Sequence, residues 1–136
     1  MKSITKLIVI VVAVAGLLSA SNAVAQRNYD SKTVETIQGK VVSVEKTPSK
    51  GGAYGVHLIL QAEKETISVH LGPGWYVEKQ TPRIEPNDTV IVTGSRVTVA
   101  GKTVIIGAQV KKGNEVLNLR DENGIPAWRR TGRGNR

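Results

Sequence analysis

Residues 54–71 read YGVHLILQAEKETISVHL, and this stretch decides the fold. Apolar side chains take alternate positions on either side of its polar centre, namely at Val56, Leu58, Leu60 and Ala62 and then at Ile67, Val69 and Leu71. A period of two is typical of strands with one buried face. The stretch therefore predicts two antiparallel strands, 54–62 and 65–71, joined by a tight turn.

The parity of the two alternations determines how these strands pair. Both apolar sets face one core only if the connecting loop has an even number of residues. A two-residue turn at 63–64 meets this condition, and so does a four-residue loop closed by Gln61 and Thr66. Either loop places His57 directly opposite His70, on the face that points away from the core.

Outside this hairpin the chain also favours strands, because Val and Ile dominate the apolar residues and Phe is absent. The further elements expected are a long strand at 33–47, a short helix at 75–80, a hairpin of strands at 88–99 and 102–112, and a short strand at 115–119. The apolar phase of the first strand changes at Gly39, which predicts a bend or bulge there.

This order of elements resembles the OB-fold, a five-stranded Greek-key barrel whose helix lies between strands three and four. The resemblance covers residues 33–112 and includes the Gly39 bend and the turn at 86–88. The chain is also similar to small exported bacterial OB-fold proteins without an assigned activity. The resemblance implies an all-β, five-to-six-stranded, OB-like barrel over residues 33–120, with ligands bound across strands two and three and the adjoining loops. Such folds bind nucleic acids, oligosaccharides or proteins, and the fold alone does not choose among them.

The first 25 residues read as a cleavable secretory signal. Lys2 and Lys6 precede an uncharged apolar run at 7–18, and small residues at 23–25 place cleavage before Gln26. Twelve helical residues span about 18 Å, less than the ~30 Å of a bilayer core. We therefore expect a periplasmic or secreted protein that has no membrane span after cleavage, and whose residues 26–32 form a polar leader.

The net charge and the absence of cysteine reduce the number of functions that the chain could have. Without cysteine, the chain has no thiolate metal site, no haem attached through Cys and no thiol redox chemistry. Removing Lys2 and Lys6 leaves 17 basic against 11 acidic residues, a net charge of +6, of which residues 129–136 supply +4. Residues 26–128 thus carry only +2. We expect residues 121–136 to form a turn and a basic, disordered tail.

Cationic and aromatic side chains near the expected loops are the candidate ligand-binding residues. They are Lys46, Lys50, Tyr54, Arg96, Lys102, Arg129 and Arg130. They favour an acidic envelope protein partner or an anionic polymer. Nucleic acid fits less well, because the only aromatic ring on strands two and three is Tyr54. No enzymatic motif such as Gly-x-Ser-x-Gly or His-Glu-x-x-His is present, so no catalytic residue is predicted.

Two further features have alternative interpretations. His57 and His70, with Cβ atoms about 5 Å apart, form a candidate site for a weakly bound divalent transition metal. The alternative is two solvent-facing polar residues, and no other cofactor is expected. Residues 72–76 read GPGWY, and Trp75 either stacks on a ligand or plugs one end of the barrel. We expect the plug.

Together these observations predict an exported, non-enzymatic binding module. It would hold a partner protein or an anionic ligand through the face of strands two and three, the flanking loops and the Arg-rich tail. One alternative is a metal- or haem-associated accessory protein of an envelope redox system that uses the two histidines. Another is an exported binder of nucleic acid or polysaccharide.

Overall fold

The computed structural model describes residues 29–129. Its elements in chain order are β1 (Val34–Pro48), β2 (Tyr54–Ala62), β3 (Thr66–Pro73), α1 (Gly74–Val77), β4 (Thr89–Val99), β5 (Lys102–Lys112) and β6 (Glu115–Asn118). The predicted all-β class, with one short helix between the third and fourth strands, is confirmed. The predicted signal sequence and Arg130 lie outside the described residues.

The six strands form one sheet in the order β3-β2-β1-β4-β5-β6. In addition β3 pairs in parallel with β5, from Ser68 opposite Val104 to His70 opposite Ile106. This pairing joins β3, at one edge of the sheet, to β5, the strand next to the other edge, in the OB-like Greek-key arrangement. Because only three residue pairs join β3 to β5, the barrel is closed over a short length only.

β1 changes partners along its length. Its residues 34–40 pair with β4 and its residues 39–48 pair with β2. Gly39 lies where both pairings overlap, and a Cβ at this position would lie 2.6 Å from the Gln61 carbonyl oxygen. Only glycine fits without a shift of the backbone. Two residues further on, a register shift leaves Val42 in a bulge with 51% of its surface exposed, so the irregularity predicted at Gly39 extends past it.

The hairpin of β2 and β3 has the predicted register. His57 pairs with His70, and Leu58 pairs with Val69. The Ala62 amide donates to the Glu65 carbonyl oxygen at 2.8 Å, which closes a two-residue turn. The alternating apolar residues of both strands, except the half-buried Ala62, are buried in the core with Val41, Val90, Val92, Ile105, Val110, Leu117 and Leu119. Parity was therefore sufficient to predict both the pairing and the buried face.

The prediction that Trp75 plugs the barrel is wrong, because 49% of its surface is exposed. α1 is a single turn rather than a helix over 75–80. It begins at Gly74, which lies so close to the Tyr54 ring that a Cβ there would overlap it. From this start Tyr76 and Val77 pack against the core, while Trp75 is directed outward.

Trp128 packs against the core instead. Its indole lies on Gly72, where a Cβ would be 2.7 Å from the ring, and its centroid is 5.4 Å from that of Tyr76. Residues 127–129 are helical, so Arg129 belongs to an ordered segment. Of the expected turn and basic tail at 121–136, the structure describes only residues 121–129.

Arg120 links β3 to β5 just beyond the last backbone pair that joins these strands. The junction of β3 with β5 is called the seam below. Its Nη1 donates to the carbonyl oxygens of Leu71 and Gly107, the residues that follow the last parallel pair on each strand. The Trp128 ring covers the guanidinium at 4.9 Å. Burial lowers the pKa of Arg120 to about 10, so it stays charged at neutral pH. Arg120 and Trp128 are called the C-terminal clamp below.

Candidate functional site

The two histidines meet on the outer face of β2 and β3. Their rings are stacked, with centroids 3.9 Å apart and planes inclined by 4°. Both side chains are half-buried rather than fully open to solvent. Thr47 on β1 places its hydroxyl oxygen 3.4 Å from Nδ1 of His57. The structure therefore brings together the two side chains that the register predicted to be neighbours.

The surroundings keep both imidazoles neutral. Burial lowers the pKa of His57, and the Glu45 carboxylate opposes this shift. Burial, His57 and Arg120 lower the pKa of His70 to about 4. At pH 7 the pair therefore offers ring nitrogens that carry lone pairs, which are suited to accept a hydrogen bond or to coordinate a metal.

A second feature, called the end cavity here, opens at the end of the barrel beside α1. It has a volume of about 250 Å³. Its lining residues are Val44, Val56, Leu58, Leu71, Val77, Pro82, Ile84 and Leu117, with Lys46, Glu78 and Arg83 among them. Four of the apolar residues (Val56, Leu58, Leu71 and Leu117) are core residues at most 3% exposed, so the cavity reaches into the barrel.

The charged side chains of the end cavity form a connected group. The Tyr54 hydroxyl donates to Glu78 Oε1 at 2.6 Å, and Lys46 Nζ lies 3.6 Å from Glu78 Oε2 and 5.0 Å above the Tyr54 ring. Arg83 Nη1 donates to the Glu78 main-chain carbonyl at 3.2 Å. The Tyr54 hydrogen bond, with Lys46 and Arg83, lowers the pKa of Glu78. The cavity therefore has two cations and one carboxylate in its lining.

The predicted ligand-binding residues do not form one surface. Lys46 and Tyr54 lie together at the end cavity, and Lys50 lies in the short turn that joins β1 to β2. Arg96 lies near the opposite end of β2, where its guanidinium contacts Glu35 and Glu65, each at 2.6 Å. These two carboxylates occupy the guanidinium that was expected to bind an anion.

The remaining predicted cations are also apart from the end cavity. Lys102 begins β5 and pairs with Val99 in the hairpin that contains Arg96. Arg129 follows the C-terminal clamp and is exposed. The predicted ligand-binding residues that the structure describes thus occupy several separate places, and of these only Lys46 and Tyr54 lie together at the end cavity.

Sequence reasoning missed three residues of the end cavity, Val77, Arg83 and Ile84. Arg83 and Ile84 lie in an irregular segment between two prolines, where no apolar period marks a buried face. The available signal was a single isoleucine among polar residues and prolines. This pattern is typical of a loop that buries one side chain. That signal does not reveal that the residue lines a cavity.

Comparison with known proteins identifies the family. Residues 33–117 match the model of the MamS/MamX magnetosome protein family. The chain belongs to this family. The match runs from the start of β1 into β6, so this MamS/MamX domain contains both the histidine pair and the end cavity, whereas the C-terminal clamp follows it. No OB-fold family is indicated by this match, so the OB likeness is one of strand arrangement. No curated protein matches the chain.

Family membership indicates a magnetosome-associated protein. Among residues 29–129 of this MamS/MamX protein, no helix is long and apolar enough to cross a membrane. The same residues contain no group of three or more His, Cys, Asp or Glu side chains that could hold a metal ion. Any metal bound to the described part of the chain would therefore have at most two such ligands.

Proposed function

We propose that this protein is an exported, non-enzymatic binding module of the magnetosome, and that it holds a partner protein by one bulky apolar side chain of that partner. The end cavity carries the proposal. Its volume of about 250 Å³ is below the ~300–1,000 Å³ typical of small-molecule sites. Its walls reach the core, so a side chain that enters it contacts buried apolar residues. Such buried anchors supply most of the binding energy at protein interfaces.

Charge favours a partner with acidic residues beside the anchor. Lys46 and Arg83 in the lining outnumber Glu78, and Lys50 lies on the adjacent turn. Charged side chains around a binding pocket mainly select the partner and speed its approach. A large apolar residue between carboxylates therefore matches both the walls and the charges of the cavity.

A pair of peptides tests this proposal. Each has a central tryptophan, flanked by aspartates in one peptide and by lysines in the other. In an NMR titration of the ¹⁵N-labelled protein, we expect the aspartate peptide to shift the amide signals of Val44, Val77 and Ile84. We expect its affinity to exceed that of the lysine peptide by about tenfold, which is 1.4 kcal/mol.

Two variants provide the controls. Ile84→Trp fills the end cavity and should abolish the shifts. Val116→Trp adds the same ring at an exposed position on β6, outside the cavity lining, and should leave them unchanged. Equal affinity for the two peptides, or shifts that survive Ile84→Trp, would contradict the proposal.

The other binding hypotheses have less support. For nucleic acid or polysaccharide, a flat surface would need exposed rings and free cations. The outer face of β2 and β3 carries the stacked histidines, and Arg96 is paired with two carboxylates. A haem-associated role has no observation in its favour. A role for a simple metal ion rests on the histidine pair and is argued separately below.

A further inference from the structure

The geometry points to a second site, and we propose that His57 and His70 together bind one divalent transition metal ion of the Cu²⁺, Ni²⁺ or Zn²⁺ class. The two residues are a direct cross-strand pair, and their rings already lie 3.9 Å apart. Within residues 29–129, the Thr47 hydroxyl is the only group that hydrogen-bonds to either ring. Nε2 of His57 and both nitrogens of His70 are therefore available as ligands.

Coordination of one ion requires both rings to tilt out of the stacked arrangement. Metal–nitrogen bonds of ~2.0–2.1 Å with tetrahedral geometry place two ligand nitrogens about 3.3 Å apart. In the stacked pair the ring planes are parallel, so their lone pairs do not yet converge. Each ring must tilt about its Cβ–Cγ bond, and this torsion has a broad energy minimum. Thr47 contacts Nδ1 of His57, which leaves Nε2 of that ring as the ligand.

The charges around the pair set a limit on its affinity. Glu45 on β1 pairs with His57 and favours a cation, whereas Arg120 lies near His70 and opposes one. On the other side of β3, the residue of β5 that pairs with His70 is Ile106, which is uncharged. Water completes the coordination, because no third ligand is present among the described residues. We expect a dissociation constant in the micromolar range.

Copper titration of the untagged full chain tests the site, since a polyhistidine tag would itself bind the metal. Calorimetry at pH 7.5 should show one Cu²⁺ per chain, and electron paramagnetic resonance should show hyperfine coupling to two nitrogens. His57→Gln and His70→Gln should each weaken binding at least tenfold. Both substitutions keep a polar side chain on a half-buried surface, and circular dichroism checks that the variants fold.

A matched control moves one histidine without changing the composition. His57→Gln combined with Gln61→His places the ring opposite Thr66, on the same face of β2 but away from His70. This double variant should bind copper as weakly as the single variants. If it binds like the wild type, or if either single variant keeps full affinity, the two histidines do not share a metal ion. Neither result bears on the peptide experiment at the end cavity.

Discussion

Arg120 shows how one side chain can replace part of a strand pairing. Its guanidinium satisfies two carbonyl oxygens on β3 and β5, where no further backbone hydrogen bonds join these strands. Arg120→Met keeps most of the apolar stem and leaves both carbonyls without this donor. Unsatisfied buried polar groups cost about 1–3 kcal/mol each, so we expect a loss of about 2 kcal/mol or more in unfolding free energy, measured in urea.

Arg120→Lys is the control for this prediction. Lysine keeps the positive charge but lacks the planar fork that spans two acceptors, so its stability should lie between those of the wild type and Arg120→Met. Equal stability of all three proteins would show that the seam does not depend on this residue.

His70 makes stability depend on pH. Its pKa is lowered to about 4 in the folded protein by burial, His57 and Arg120, whereas the unfolded chain has a value of about 6.5. Between these values the unfolded state binds more protons. The stabilising contribution of neutral His70 is therefore complete above pH 6.5 and is lost as the pH falls toward 4.

His70→Gln should remove this part of the pH dependence. We expect urea midpoints of the wild type to fall more steeply than those of the variant between pH 6.5 and 4. Taking the difference between the two proteins cancels the carboxylates that titrate over the same range, Glu78 and Asp88 among them. Parallel curves would contradict the assigned shift.

At the scale of elements, Trp128 has the packing role that was expected of Trp75. Trp128 packs on Gly72, Tyr76 and Arg120, whereas Trp75 is 49% exposed. Full truncation of a buried aromatic ring costs about 3–5 kcal/mol. Trp128 is only partly buried, so we expect Trp128→Ala to cost about 2–4 kcal/mol and Trp75→Ala to cost under about 1 kcal/mol.

Thermal and urea unfolding of both variants checks this ranking. Because the same residue type is removed in each case, the comparison isolates the effect of position. A larger loss from Trp75→Ala would mean that α1, and not the C-terminal segment, stabilises this part of the barrel.

The strands were predictable because their signal is local and periodic. Alternation over 56–62 and 67–71 specified the buried face and the His57–His70 pair, and it required a connecting loop of even length. The position of Trp128 has no such signal, because it depends on contacts with β3, far away in the sequence. The end cavity was also beyond prediction, since part of its lining comes from an aperiodic segment around Ile84.

For the whole molecule, export is the property that the sequence predicts most directly. The predicted cleavage site follows Ala25, and mass spectrometry of the exported protein should give Gln26 as the first residue. Ala25→Arg should block processing, because signal peptidase requires a small residue there. An intact Met1 on membrane-bound wild-type protein would contradict the assignment to the periplasm or the exterior.

The distribution of charge over the whole molecule also differs from the simplest expectation of one basic surface. Lys46 and Lys50 lie at one end of β2, and Arg96 lies near the other. Since exposed ion pairs contribute little to stability individually, the Arg96 cluster matters mainly because it removes a cation from the binding surface. Sequence composition counts such residues but does not show which of them are already paired.

The position of the C-terminal clamp in the chain has a consequence for the order of events during synthesis. Arg120 and Trp128 are made after all six strands, and the seam they complete joins β3 to β5. Pairings between distant segments form slowly, because the intervening chain must first be brought together. A nascent polypeptide of this design therefore remains incompletely folded until its last segment leaves the ribosome. For the export that the sequence predicts, this late completion keeps the chain able to pass through a narrow translocation channel as an extended thread.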